Sequence, residues 1–163
     1  MSNHSRTIQQ THTIATSREK VFKALTDPKE LTHWWMSKSL SDPRAGGSFE
    51  YVWEFNDPSR NGKQTGEYLE VVPNQKLRYP WEAGDNGGAH NTTVEFTLRD
   101  APEGDAPEGT LLELAHTGYK SGGDWDQVYE MTAQAWGFFL GNLKAYLENG
   151  EDNRAAVLGQ KTK

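Results

Sequence analysis

The fold this sequence predicts is α+β: a curved antiparallel sheet wrapped around one long C-terminal helix. Three observations predict it. Residues 124–149 are the only segment long and periodic enough for one uninterrupted helix. Residues 48–116 carry alternating strand patterns separated by turn residues, with no helical period between them. Two short helical segments stand between a first strand and that run, which places helices and an antiparallel sheet in separate blocks of the chain.

In chain order, 6–14 alternates weakly through Ile8, Gln10, His12 and Ile14 and reads as an edge strand. Thr16 or Ser17 caps a helix through Val21, Phe22 and Leu25, which stops before Asp27-Pro28 because proline disfavours the helical region at its predecessor. Pro28 opens a second short helix, 29–35, carrying Leu31, Trp34 and Trp35. Asp42-Pro43 and Gly46-Gly47 break the chain before 48–55, the clearest strand, with Phe49, Tyr51, Trp53 and Phe55 on one face and Glu50, Val52 and Glu54 on the other. A turn at 56–62 leads to a strand at 64–72, which Pro73-Asn74 ends. Leu77, Tyr79 and Trp81 mark the next strand, 83–90 a glycine-rich loop, and Thr92, Val94, Phe96 and Leu98 another strand. The duplication APEG-D-APEG at 101–109 is too short for an architectural repeat and reads as an acidic hairpin loop. Leu112, Leu114 and His116 alternate on the last strand.

The long helix then presents Trp125, Val128, Thr132, Trp136, Phe139, Leu140, Leu143 and Leu147 on one face, between Asp124 as N-cap and Asn149-Gly150 as stop. At 1.5 Å per residue it spans about 39 Å, enough to cross a small domain. Gln134, Gly137, Phe138, Gly141 and Ala145 lie on its outward side. The expected organisation is one domain over 1–150, with 151–163, which lacks periodicity, as a disordered tail.

Composition excludes several function classes. The 163 residues carry a net charge of −6, which argues against nucleic acid or an anionic membrane as partner. With no cysteine there is no disulfide, thiol nucleophile or cysteine-ligated metal, in keeping with a reducing cytoplasm. Residues 1–10 lack a signal-peptide core, and no run approaches the ~20 apolar residues of a membrane span. Six Trp, six Tyr and six Phe against a hydrophobic fraction of 34% make much of the apolar volume aromatic.

The run Ile14 to Phe22, Leu25-Thr26-Asp27-Pro28 with Trp34-Trp35, and Asp42 to Phe49 stand in order ahead of Gly66 to Pro73, His116 to Tyr119 and Leu143 to Gly150. As a set they resemble the START-like (SRPBCC, helix-grip) superfamily and, within it, the domain family related to the activator of the Hsp90 ATPase. That resemblance implies a helix-grip fold with an internal pocket, in a family whose members bind apolar small molecules, act as cyclases or assist Hsp90. It carries over no catalytic residue. One departure is Ala135-Trp136, where the family's helix reads Gly-Trp; the added methyl is expected to tighten the space beside the indole.

The candidate pocket lining is Trp35, Tyr51, Trp53, Tyr68, Tyr79, Trp81, His116, Trp136, Phe139 and Leu140. The expected ligand is an apolar or aromatic small molecule; the same rings could equally fill a solid core. His116 alternates with Leu112 and Leu114, so it points inward, either as a core histidine bonded within the fold or as the base of a cyclase or hydrolase. The third reading is a co-chaperone role, with a chaperone or a second copy of the chain as partner. His12, His33 and His90 have no metal-ligand spacing, and the glycines match no phosphate-binding pattern, so neither metal nor cofactor is expected.

Overall fold

The computed structural model describes residues 6–82, 91–101, 109–120 and 122–161. Strand β1 (Arg6–Ile14) is followed by α1 (Arg18–Thr26) and α2 (Pro28–Trp34), then by β2 (Lys38–Ser41), β3 (Ser48–Trp53), β4 (Gly62–Glu67), β5 (Glu70–Val72), β6 (Lys76–Glu82), β7 (Asn91–Asp100) and β8 (Thr110–Tyr119). Helix α3 (Trp125–Asn149) and the short α4 (Arg154–Leu158) complete the chain. The predicted α+β class is the observed one: all strand pairs are antiparallel, in a five-stranded sheet ordered β1-β8-β7-β6-β5 and a three-stranded sheet ordered β2-β3-β4.

Capping residues set the helical corner. Ser17 accepts from the Lys20 amide at the start of α1, and Asp27 accepts from the Lys29 and Glu30 amides at the start of α2, with Pro28 in the first turn. At the other end of the chain Gly150, at φ 70°, takes the left-handed conformation that stops α3, and its amide bonds the carbonyls of Ala145 and Tyr146.

Strand alternation sets the core. Phe49, Tyr51 and Trp53 are buried from β3, Leu77 and Tyr79 from β6, Val94, Phe96 and Leu98 from β7, and Leu112, Leu114 and His116 from β8. The apolar ones form one core cluster with Val128, Trp136, Leu140 and Leu143 of α3, and His116 accepts from the Trp136 indole. On the opposite side, Glu50 of β3 and Glu54 just after it pair with Lys63 and Lys38 respectively.

The structure departs from the sequence reading at four places. The single strand expected at 64–72 is two, β4 and β5, which belong to different sheets. The chain changes sheet at Tyr68 and Leu69, whose amides bond Gly47 and Arg78 carbonyls respectively. Gly66 permits this corner, since a Cβ there would sit 3.1 Å from both the Phe49 ring and Pro80. Strand β2 was not expected, because Lys-Ser-Leu-Ser is short and mostly polar; it exists by pairing with β3. The tail expected to be disordered folds back as α4, and Arg154 in it is 1% exposed. Its bonds are long-range and polar, which no periodicity reveals. The crowding expected at Ala135 is also absent, as that residue is exposed. The glycine-rich loop 83–90 and most of the duplicated segment, 102–108, lie outside the described residues.

Candidate functional site

Six of the ten predicted lining residues come together around one more, Trp35. Trp35 hangs from the C-terminal end of α2 and is 3% exposed. Its ring lies 5.6 Å from Trp81 and nearly parallel to it at 7°, 5.6 Å from Trp53 and edge-on at 69°, 5.6 Å from Tyr51 at 52°, and 5.2 Å from Trp136 at 44°. Tyr79 joins through Tyr51 and Trp81, and His116 through Trp81 and Trp136. These are the offset and edge-to-face arrangements that ring quadrupoles favour.

Tyr68 sits at the rim of this set. Its hydroxyl links Tyr51 (2.5 Å) to Ser41 (2.7 Å), so the Tyr51 hydroxyl is satisfied inside the core. Leu140 is fully buried in the same core cluster as these rings, and Phe139, half-buried, packs against that cluster with the Phe138 ring 5.4 Å away. Trp81 is the one indole of the cluster that is only half-buried, and it lies one residue before the end of β6.

His116 is fully buried, and both ring nitrogens are engaged. The Trp136 indole N–H can only donate, and it donates to His116 Nδ1 at 2.9 Å. The proton of a neutral ring therefore sits on Nε2, which donates to Thr92 Oγ1 at 2.7 Å, and the Thr92 hydroxyl in turn donates to the Trp81 carbonyl at 2.8 Å. Each group in this chain has a single consistent role. Burial lowers the His116 pKa to about 3. Burial likewise raises Tyr51 and Tyr79 well above their ordinary value. The lining groups are thus uncharged across the neutral range, and none is poised there for proton transfer.

Thr92 was legible only as a strand marker; its position one turn of alternation before Val94 puts it on the inward face, which was the available signal. Phe49 and Phe96, which contact Tyr79, were likewise visible as inward alternating residues but were not assigned to the site. Asn142, Arg154 and Gln160, which hold the end of α2 from the far end of the chain, gave no local signal at all.

Two clefts are open to solvent. One, of about 560 Å³, lies where the start of α1 (Thr16 to Lys20) meets Asn74 and Asp100; the other, of about 430 Å³, lies between α2 and β2 at Pro28, Lys29, His33 and Ser39. Neither is lined by the ring cluster.

Comparison with known proteins agrees with this architecture. Residues 15–148 match the family described as "Activator of Hsp90 ATPase homolog 1-like protein". Among curated proteins, none matches by sequence. Among solved structures, protein MLL2253 of Mesorhizobium loti is 26% identical and superposes with a TM-score of 0.70 over 90% of this chain and 99% of its own. The Aha1 dimer of Colwellia psychrerythraea, at 21% identity, gives 0.70 over 90% and 98%, and CalU16 of Micromonospora echinospora, at 23%, gives 0.65 over 90% and 78%. With a family match across 15–148 and the helix-grip arrangement of sheet and α3, this chain belongs to the activator of Hsp90 ATPase homolog 1-like family of the SRPBCC fold.

Proposed function

We propose that the protein binds an apolar or aromatic small molecule between the inward face of the sheet and α3. The observation that carries this reading is the continuous wall of Tyr51, Trp53, Tyr79, Trp81 and Trp136, which is rich in ring surface and uncharged at neutral pH. Such a wall recognises shape and apolar area rather than charge. A cyclase or hydrolase role for His116 is not what this geometry favours. Both its nitrogens are committed, and its pKa of about 3 makes it too weak a base for neutral pH. A ligand bound only to the folded state at ~100 times its Kd adds roughly 2.7 kcal/mol, several degrees of melting temperature. Sterols, fatty acids, flavonoids and polyketide-like aromatics are therefore to be screened by thermal shift, and hits should weaken in Tyr79→Leu and Trp81→Leu. A broad apolar library that moves neither melting nor Trp fluorescence would remove this reading.

A second reading, assistance to Hsp90, draws on the family's description and on one structural observation: the rings lie in contact with one another in this structure. On that reading the wall is solid core. Stimulation of Hsp90 ATPase by the purified chain, with no small-molecule hit, is the result that would favour it. A second copy of the chain is the other partner to be looked for, by sedimentation.

A further inference from the structure

We infer that Trp35 occupies the ligand's own place, and that the ligand is a planar, fused-ring aromatic of indole width, admitted when the C-terminal strap 152–161 lets go of the end of α2. This rests on the binding reading above and specifies its ligand and its gate.

Trp35 differs from the rest of the wall in where it is rooted. Tyr51, Trp53, Tyr79 and Trp81 rise from paired strands and Trp136 from a helix of 25 residues, whereas Trp35 follows a helix of seven and is not itself helical, at φ −122° and ψ −62°. A helix that short has no stability of its own. With the Trp35 side chain withdrawn, the face of Trp81, the edge of Trp53 and the tilted rings of Tyr51 and Trp136 bound a slot that now holds a flat bicyclic ring. The indole reports the shape the slot accepts.

What keeps it there comes from elsewhere in the chain. The open carbonyls at the end of α2 are satisfied by distant side chains: Thr32 and Met36 by the Arg154 guanidinium (2.7 and 2.8 Å), Trp34 by Asn142 (2.9 Å), and Trp35 by the Gln160 amide (2.9 Å). Arg154 and Gln160 belong to the strap. It is fastened by polar bonds, Lys161 N–H to the Glu54 carbonyl, Arg60 to the Leu158 carbonyl and Asn56 N–H to the Gly159 carbonyl, while Ala155, Ala156 and Val157 are exposed. Segments held this way, with little apolar burial, open before the core does. Gln160 is 1% exposed, yet its Oε1 has no partner among the described residues, so the latch carries an unsatisfied buried acceptor that release would hydrate.

A plug lowers apparent affinity by the fraction of molecules in which it is out, so loosening the latch should tighten binding of the right ligand alone. The probe is 2-naphthol, with oleate as the non-planar control. Gln160→Leu, which keeps bulk and removes the bond to the Trp35 carbonyl, should bind 2-naphthol at least tenfold more tightly than the parent and oleate no better. Trp35→Ala should match or exceed that gain, and the double variant should add little. In parent protein labelled with 5-fluorotryptophan, the resonance lost in Trp35→Phe should move toward its solvent-exposed position as 2-naphthol is added; this experiment decides the matter if either variant fails to fold. Binding of 2-naphthol with the parent's affinity in both variants, a gain for oleate as large as that for 2-naphthol, or binding of 2-naphthol with the Trp35 resonance unmoved would overturn the plug and leave the binding reading standing. Folded Trp35→Ala protein that does not bind 2-naphthol would overturn the plug, and only the failure of the whole apolar library on parent and variant would overturn the binding reading with it.

Discussion

Lowering the pH from 7.5 to 5 should destabilise the protein through His116 before its carboxylates matter. The ring is fully buried, donates to Thr92 and accepts from Trp136, and burial depresses its pKa from 6.5 to about 3. A depressed pKa on a base means that the unfolded chain binds the proton first. Stability is therefore fully present above pH 6.5 and is lost as the pH falls from 6.5 toward 3. Over 7.5 to 5 the loss is about 2 kcal/mol, and the whole window is worth about 4–5 kcal/mol. His12, whose pKa is also lowered by burial and by Lys144, adds in the same direction. Asp152 and Glu148 have lowered pKa values too, but their unfolded forms take up protons mainly below pH 5. Urea unfolding at half-unit pH steps, on the parent and on His116→Gln, isolates the effect. The variant should be less stable at pH 7.5 but should lose about 2 kcal/mol less than the parent on the way to pH 5. Parallel curves for the two proteins would show that His116 titrates freely, and the hydrogen-bond chain from Trp136 to Trp81 would be wrong.

Trp136 is 3% exposed and touches Trp35, Trp81, Phe96 and His116, so Trp136→Ala should cost about 3–5 kcal/mol in chemical denaturation. Gly141 has open space where a Cβ would go and an ordinary helical backbone, so Gly141→Ala should stabilise by about 1 kcal/mol; no gain in melting temperature would mean that another surface covers that side of α3. Asp152→Asn removes the anionic partner, at 2.8 Å, of a guanidinium that is 1% exposed, and should cost about 2–4 kcal/mol with a free amide pattern appearing in hydrogen exchange at the end of α2. Asp152→Asn protein as stable as the parent would show that the strap bears no load.

Where local chemistry decides structure, the sequence was sufficient. Alternation placed Phe49, Tyr51, Trp53, Tyr79 and His116 inward, and Pro28 and Gly150 marked helix ends where they occur. Where structure depends on pairing at a distance, it was not. Strand β2 has no pattern of its own, and the sheet change at Tyr68 follows from Gly66 meeting the Phe49 and Pro80 rings, contacts across β3 and β6. Arg154 and Gln160 look like tail residues because their partners, the carbonyls of Thr32, Trp35 and Met36, are more than a hundred residues earlier. Within the candidate lining, helical spacing put Phe139 on the face with Trp136 and Leu140, yet in the structure its ring lies against Phe138 and is only half-buried. A face defined at 100° per residue is broader than the line along which a curved sheet touches it.

The central claim, that the space between the sheet and α3 serves a small molecule, is tested most directly by native mass spectrometry. The protein is incubated with an apolar extract of cells, freed of excess by gel filtration and sprayed intact, beside Trp81→Leu treated identically. One discrete added mass of a few hundred daltons is expected on the parent, lost on denaturation and reduced in the variant. The bare chain mass in both, from protein shown to be folded, would contradict it.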